Sequence, residues 1–197
     1  MTDHLTSYRY LQAEEVFEKI DVFERRSHIG GIGTQTLLHQ HVTSADFQAK
    51  TYEGMECNIP APQMQYSDKP FPEDCPLLPG AEVVQQYVWE YGRDVADSLH
   101  LRTEVVAVNP HKSDDQSSES WDVTVRKLAD GSVRTAVYDA VIVADGRYNE
   151  PVIPAIPGLA EWQEIHPSTI VHSRDYRSAE AFRNKVRMAF DLNLLRI

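Results

Sequence analysis

Cysteine is scarce in this chain: Cys57 and Cys75 are the only two among 197 residues. Their separation fits neither a C-x-x-C redox pair nor a four-ligand zinc site, so both read as free thiols. His39-Gln-His41 brings two histidines together without a third ligand and reads as a solvated loop, so no metal site is expected. Basic charge is also short, with 19 Lys and Arg against 30 Asp and Glu and a net charge of -11. That balance opposes nonspecific binding to nucleic acid or to an anionic membrane, both of which need a basic face. No apolar run approaches the roughly eighteen residues of a membrane span, and Met1-Thr-Asp-His does not open a signal peptide. These absences give the expectation of an intracellular, cytoplasmic protein. Glycine is missing from the whole N-terminal stretch, the first being Gly30. No G-x-G-x-x-G phosphate turn therefore precedes it.

What is present is ordinary globular material, 42% hydrophobic and 25% charged, enough for a core in one large or two small domains. The most informative stretch is Tyr138-Asp-Ala-Val-Ile-Val-Ala-Asp-Gly146. Ala140 to Ala144 is a short continuous apolar run with β-branched residues, the pattern of a strand buried on both faces of a parallel sheet. Ligands of open α/β sheets sit beyond the carboxyl ends of the strands, which puts Asp145 and Gly146 where a nucleotide would lie. A plain Asp-Gly turn after a buried strand is the other reading of the same residues.

Earlier in the chain, Ser7 to Lys19 fits a helix with Tyr8, Leu11 and Val16 on one side, and Ile20-Asp-Val-Phe-Glu24 alternates as a strand. A carboxylate closing such a strand is where a dinucleotide fold accepts hydrogen bonds from an adenosine ribose. Gly30, Gly31 and Gly33 follow, with Ile32 between them, in a loop whose amides either face a diphosphate or form a ligand-free turn. From Ile59 to Pro79 six prolines in twenty-one residues predict an extended excursion without helix, and Met64, Tyr66 and Phe71 predict that it is ordered. Past Pro79-Gly80, Val84, Val88, Tyr91 and Val95 line one face of a helix running to about Leu99. Leu101 to Val108 reads as a strand, and Ser113 to Ser120 as a solvated acidic loop. Trp121, Val123 and Val125, then Val133, Thr135 and Val137, alternate on either side of Asp130-Gly131 and predict an antiparallel hairpin. Beyond Gly158 the expectations are a helical turn over Leu159 to Gln163, short strands over Thr169 to His172 and from Lys185 to Phe190, and a helix end at Ala179 to Arg183.

In this order the pieces resemble the flavin-containing monooxygenase family, over roughly Ile20 to Lys185. Val22-Phe-Glu24 with Gly30-Gly31 is similar to the end of the FAD adenosine strand and the loop after it. The resemblance implies that Glu24 binds the ribose and that Gly31, Ile32 and Gly33 line the cofactor. Cys57-Asn58-Ile59-Pro60, with Met64-Gln-Tyr-Ser-Asp and Pro70-Phe-Pro72, resembles the excursion under the flavin. It implies that Cys57 and Asn58 touch the cofactor and that Asn58 is the catalytic side chain, near the flavin's reactive face and the nicotinamide. Val105 falls where the backbone would meet the adenine, and Asp145 and Gly146 at the turn joining the two nucleotide domains. His172-Ser-Arg-Asp-Tyr176 is similar to the second half of the family's F-x-G-x-x-x-H-x-x-x-Y signature.

The resemblance implies an α/β fold, an FAD-binding Rossmann-like parallel sheet with an inserted antiparallel hairpin or meander. The expected division is a partial FAD-binding domain over residues 1–157, with the excursion at 57–79 and the hairpin at 120–138. A linker and the start of an NADP-binding domain would follow over 158–197. FAD and NADP would be the cofactors, and NADPH and O2 would oxygenate a soft nitrogen or sulfur of a small nucleophile through a flavin hydroperoxide. Homo-oligomerisation stays open. Several positions depart from the family: His166 and Ser168 stand where Phe and Gly are usual, which loosens the separation from Baeyer-Villiger relatives, and Gly33 stands where Trp is usual. The expected sheet is incomplete, since neither glycine fingerprint is present. A noncatalytic fragment of such an enzyme is therefore the alternative reading. A disulfide oxidoreductase of similar architecture is disfavoured by the lack of a close cysteine pair.

Overall fold

The computed structural model describes residues 3–31, 51–112, 119–146 and 151–184, in two compact units, Met1–Pro154 and Ala155–Ile197. The first unit is mixed α/β, with a small parallel sheet and a three-stranded antiparallel sheet. Its first element, helix α1 (Asp3–Ala13), turns Leu5 and Tyr8 into the core. The helix stops well before Lys19, because the chain turns at Glu14 and Glu15 and Glu15 takes a φ of 54°. Val16, expected on the apolar face, is left 73% exposed.

Strand β1 (Val22–Phe23) forms as its alternation predicts and pairs in parallel with β2 (Leu99–His100), Val22 opposite Leu99 and Phe23 opposite His100. The excursion is ordered, as its aromatics predict, but it does contain helix. Ala61–Met64 makes one turn, α2, because a proline in the first turn gives up an N–H that has no intrahelical partner anyway. Helix α3 (Ala81–Tyr91) then buries Tyr87, Val88 and Tyr91. It does not run on to Leu99 as one helix. Gly92 closes it, and a 3-10 segment (Arg93–Ser98) brings Val95 into the same core, fully buried.

Two layers of aromatic packing bind the excursion to α3. Tyr66 stacks on Tyr91 with 3.7 Å between ring centroids, and Phe71 stacks on Tyr87 at 3.8 Å. The Arg9 guanidinium of α1 lies 4.2 Å from the Tyr91 centroid, a cation-π contact, and its Nη1 donates to Asp68 at 2.9 Å. Burial, then a hydrogen bond to Asp68, pushes the Tyr91 phenol up to about 12. The prolines of the excursion hold it extended while its aromatic side chains supply the apolar area that orders it.

The antiparallel sheet has the order β3 (Thr103–Pro110), β4 (Trp121–Lys127), β5 (Val133–Tyr138). The expected hairpin is its second half, in register from Trp121 opposite Tyr138 to Arg126 opposite Val133. Strand β3 adds the third member, with a register shift between Val105 and Ala107. Leu101 and Arg102, expected to open that strand, form a turn instead, with Arg102 at a φ of 50°. At the hairpin end, Asp130 Oδ1 accepts from the Ser132 amide at 2.9 Å and its hydroxyl at 2.6 Å, and Gly131 takes a φ of 72°.

The expectation of a buried parallel strand at Ala140 to Ala144 fails. The segment has no strand pairing, and Ile142 and Val143 are 55% and 75% exposed. A fully buried parallel strand needs a partner along both edges. Among the described residues the only parallel pair is β1 with β2.

In the second unit, α4 (Leu159–Ile165) follows Gly158, and Trp162 Nε1 donates to Thr169 Oγ1 at 3.0 Å. Residues 169–172 are not a strand, since among the described residues no strand ladder includes them, and a 3-10 turn (Ser173–Asp175) follows. The helix end expected near Ala179 is a 3-10 turn (Glu180–Phe182). Lys185 to Phe190, Ser113 to Ser118, and the loop residues Ile32, Gly33, His39 and His41 lie outside the described residues.

Candidate functional site

The end of β1 is the best-defined polar site in the first unit. Glu24 follows the strand directly, and its backbone is held on both sides. Its N–H donates to the His100 carbonyl at 3.0 Å, and its carbonyl accepts from the Thr103 N–H at 3.0 Å. One turn later the Arg26 carbonyl accepts from the Arg102 N–H at 2.9 Å. The Glu24 side chain is half-buried, and its Oε1 accepts from the Arg26 N–H at 2.8 Å. A carboxylate has about four acceptor positions, so this one bond leaves room for a pair of hydroxyl donors. Ile29 is buried behind the loop, and Gly30 and Gly31 take φ values of 109° and 62°, conformations open to glycine at little cost. Six and seven residues after Glu24 the chain thus passes through two successive positive-φ glycines without Cβ atoms.

Behind this strand end lies a polar cluster that the sequence reading did not single out. The Asp21 side chain is 2% exposed. It accepts from Lys19 Nζ and His100 Nε2, both at 2.7 Å, and from the Tyr138 hydroxyl at 2.6 Å. Burial alone would raise the Asp21 carboxyl, but the donors from Lys19, Tyr138 and His100 outweigh it and hold the group down at about 2. Because that carboxylate can only accept, His100 Nε2 is the ring nitrogen that carries hydrogen. Burial and the bond to Asp21 push the Tyr138 phenol up to about 12. Phe23 completes the cluster, stacked on His100 at 5.1 Å and edge-on to Tyr138 at 6.3 Å. The one local signal was an acid set between apolar residues in Ile20-Asp-Val; two of its three partners, His100 and Tyr138, lie 79 and 117 residues away and carry no local signature.

The candidate residues occupy three places. Glu24 and Gly31 are in the loop after β1, and Val105 is two residues beyond the Thr103 amide that anchors Glu24. Cys57 and Asn58 lie in the excursion. There the Cys57 N–H donates to the Pro79 carbonyl at 3.0 Å and the Ala61 N–H to the Leu77 carbonyl at 2.8 Å, while Asn58 itself is exposed at a bend. Cys57 and Cys75 are free thiols, and burial, with a smaller effect of Cys75, pushes the Cys57 thiol up. Asp145 and Gly146 are exposed at the end of the unpaired segment, with Gly146 at a φ of 78°.

A family model described as flavin-binding monooxygenase-like matches residues 5–192, nearly the whole chain. The chain belongs to this family. Among its relatives are the flavin-containing monooxygenase FMO GS-OX3 of Arabidopsis thaliana, 30% identical over 180 residues, and ustF1 of Aspergillus flavus, also a flavin-containing monooxygenase, 31% identical over 177. These alignments cover 84% and 85% of this chain but 37% and 40% of the relatives, so the chain spans about two-fifths of their length. The crystal structure of Tmm from Pelagibacter sp. strain HTCC7211 superposes with a TM-score of 0.71 at 21% identity, over 91% of this chain and 40% of that one. This likeness establishes a shared fold. Membership of the family implies a flavin cofactor. Among the described residues no helix is long and apolar enough to cross a membrane.

Proposed function

We propose that this flavin-binding monooxygenase-like chain takes the adenosine end of FAD at the end of β1 and contributes to an NADPH- and O2-dependent oxygenation of a soft nitrogen or sulfur in a small molecule. The observation that carries the reading is Glu24. It is a half-buried carboxylate at the carboxyl end of a parallel strand, its backbone pinned by His100 and Thr103, and followed in the chain by the positive-φ pair Gly30-Gly31. Carboxylates at that position of α/β folds accept from ribose hydroxyls. In this reading Glu24 would accept from the ribose, Gly31 and the loop residues after it would face the diphosphate, and the Val105 backbone would meet the adenine. Asp145 and Gly146 would form the turn between the two nucleotide domains, and NADP would be the second nucleotide.

FAD, when bound and reduced by NADPH, supplies the activation of oxygen. The remaining work falls to this chain. Cys57 and Asn58 would lie beside the flavin, on a segment whose backbone is already clamped to residues 77–81. The Asn58 amide can both donate and accept, which suits it to orient a nicotinamide amide and a neutral flavin edge together. Its exposure at a bend leaves the side chain open to a ligand.

Titration of FAD into the isotopically labelled protein, followed by amide shifts, tests the reading. Glu24, Gly30, Gly31 and Val105 should move, and Glu24→Ala should weaken FAD roughly tenfold, the value of a hydrogen-bonded charged group. Shifts confined to other segments, or an unchanged affinity, would reject the assignment. Asn58→Asp should keep FAD affinity and reduce the oxygenated product formed per NADPH consumed, with hydrogen peroxide released instead. An unchanged yield would make Asn58 a turn residue only.

A further inference from the structure

Strand β1 poses a problem of its own. A parallel pairing of two residues on two, between segments far apart in sequence, is too short to hold itself, because parallel ladders are weak per residue and the loop closure is long. Yet the residue proposed to read the ribose sits directly on its end. Something other than the ladder must fix the direction of Glu24.

Among the described residues, Asp21 is a buried side chain that hydrogen-bonds to both β2 and β5. It stands just before β1, accepts from His100 at the end of β2 and from Tyr138 at the end of β5, and takes a third donor from Lys19. His100 is the shared part. Its ring is tied to Asp21, its face is covered by Phe23, and its carbonyl receives the Glu24 N–H. Tyr138 closes the cluster from the antiparallel sheet and packs its ring edge against the same Phe23. The path from Asp21 to Glu24 is therefore one residue long: carboxylate to imidazole, then main chain to main chain.

We propose that Asp21 is a positioning residue for nucleotide binding, clasping His100 and Tyr138 so that the end of β1 presents the Glu24 carboxylate to a ribose diol. The inference rests on the ribose reading of Glu24. Asp21 does not touch the ligand; it holds the peptide group that aims the residue that does. Adenosine, the smallest molecule carrying that diol with its base, is the probe.

The test is made on the whole labelled chain with Asp21→Asn, read by adenosine affinity from amide shifts and by hydrogen exchange at the Glu24 amide. Asparagine keeps the size and one acceptor but loses the charge. Adenosine should bind about tenfold more weakly, the loss expected when charge-assisted bonds become neutral ones. Exchange at Glu24 should quicken by a similar factor while amides of β4 keep their protection. Tyr138→Phe, which removes one of the three donors and preserves the ring, should give a smaller change in the same two readouts. His100→Gln, whose amide can still donate to Asp21, should restore most of the affinity that His100→Ala loses. If Asp21→Asn leaves both readouts at the wild-type level, the inference is overturned. It is overturned equally if exchange quickens uniformly through the antiparallel sheet, because Asp21 then supports the fold alone. Glu24→Gln separates the two claims. If it weakens adenosine while Asp21→Asn does not, the clasp fails and the ribose reading stands; if Glu24→Gln is itself silent, both fall.

Discussion

The two sheets of the first unit are built in opposite ways. Strands β3, β4 and β5 follow one another in the chain and pair along nearly their whole length, with the Asp130-Gly131 turn, the buried Val123 and Val125, and cross-strand bonds such as Thr124 to Thr135 and Arg126 to Glu104 within the sheet itself. The pair β1 and β2 is two residues long and is made from segments separated by the loop, the excursion and α3. Its order comes from side chains: the Asp21 cluster on one side, and on the other the core that gathers Leu5, Tyr8, Val22, Ile29, Tyr87, Val88, Tyr91 and Val95. The candidate ribose ligand stands on the second kind of sheet. The proposed nucleotide site thus stands where order is borrowed from distant residues, and the sheet that orders itself would supply only the proposed adenine-side backbone.

That contrast makes the core behind β1 the most sensitive place to disturb. Tyr91 is 2% exposed, stacked on Tyr66 and covered by Arg9. Tyr91→Ala should cost about 4 kcal/mol, in the range of large aromatic truncations. Chemical denaturation measures it, and hydrogen exchange should show β1 and α3 loosening before β4. A loss no larger than that of a valine in the antiparallel sheet would break the distinction between the regions.

Acid should act on the same side of the comparison. The folded-state pKa of Asp21 lies below its unfolded value of 3.8, at about 2. A depressed carboxylate contributes stability that is present above the unfolded value and lost as pH falls through the folded one. The contribution is about 2.5 kcal/mol and should disappear between roughly pH 4 and pH 2. Stability measured against pH for the wild type and Asp21→Asn should converge in that window. Parallel curves down to pH 2 would show that the cluster contributes no linked stability.

On the other side, Val125→Ala removes two buried methyl groups at a 3% exposed position and should cost about 2 kcal/mol. It should lower the melting temperature without altering the Glu24 amide more than its neighbours. The smallest effect belongs to the turn. Gly131 has a φ of 72° and nothing within 4 Å of where a Cβ would stand, so Gly131→Ala meets strain without a clash. A cost of about 1 kcal/mol is expected in thermal melts. A neutral result would mean that the hairpin register rests on side-chain pairing alone.

What could be read from the sequence follows the same division. The hairpin was legible because alternation and an Asp-Gly turn are local signals, and Val84, Val88, Tyr91 and Val95 were legible because a helix repeats its face within a few residues. Glu24 was legible as the acid closing a strand. Strand β2 was not, because Leu99–His100 acquires its strand character only by meeting Val22 and Phe23. Ala140 to Ala144 failed for the converse reason: its apolar run encodes a strand, but a strand requires a partner, and none is supplied among the described residues. The helical turn at Ala61–Met64 was hidden by prolines, which exclude helix interiors but not a first turn. Asp21, His100 and Tyr138 were invisible as a set, since their meeting is a property of the tertiary fold.

The most direct measurement of the central claim pairs one ligand hydroxyl with one protein carboxylate. Adenosine and 2′-deoxyadenosine are titrated into the protein and into Glu24→Ala, with affinities taken from amide shifts. If Glu24 accepts from the ribose, the wild type should prefer adenosine by roughly tenfold, and Glu24→Ala should bind the two nucleosides equally, so that the effects are strongly non-additive. A wild type indifferent to the hydroxyl, or a preference that survives in Glu24→Ala, would contradict the assignment of the end of β1 as the adenosine site.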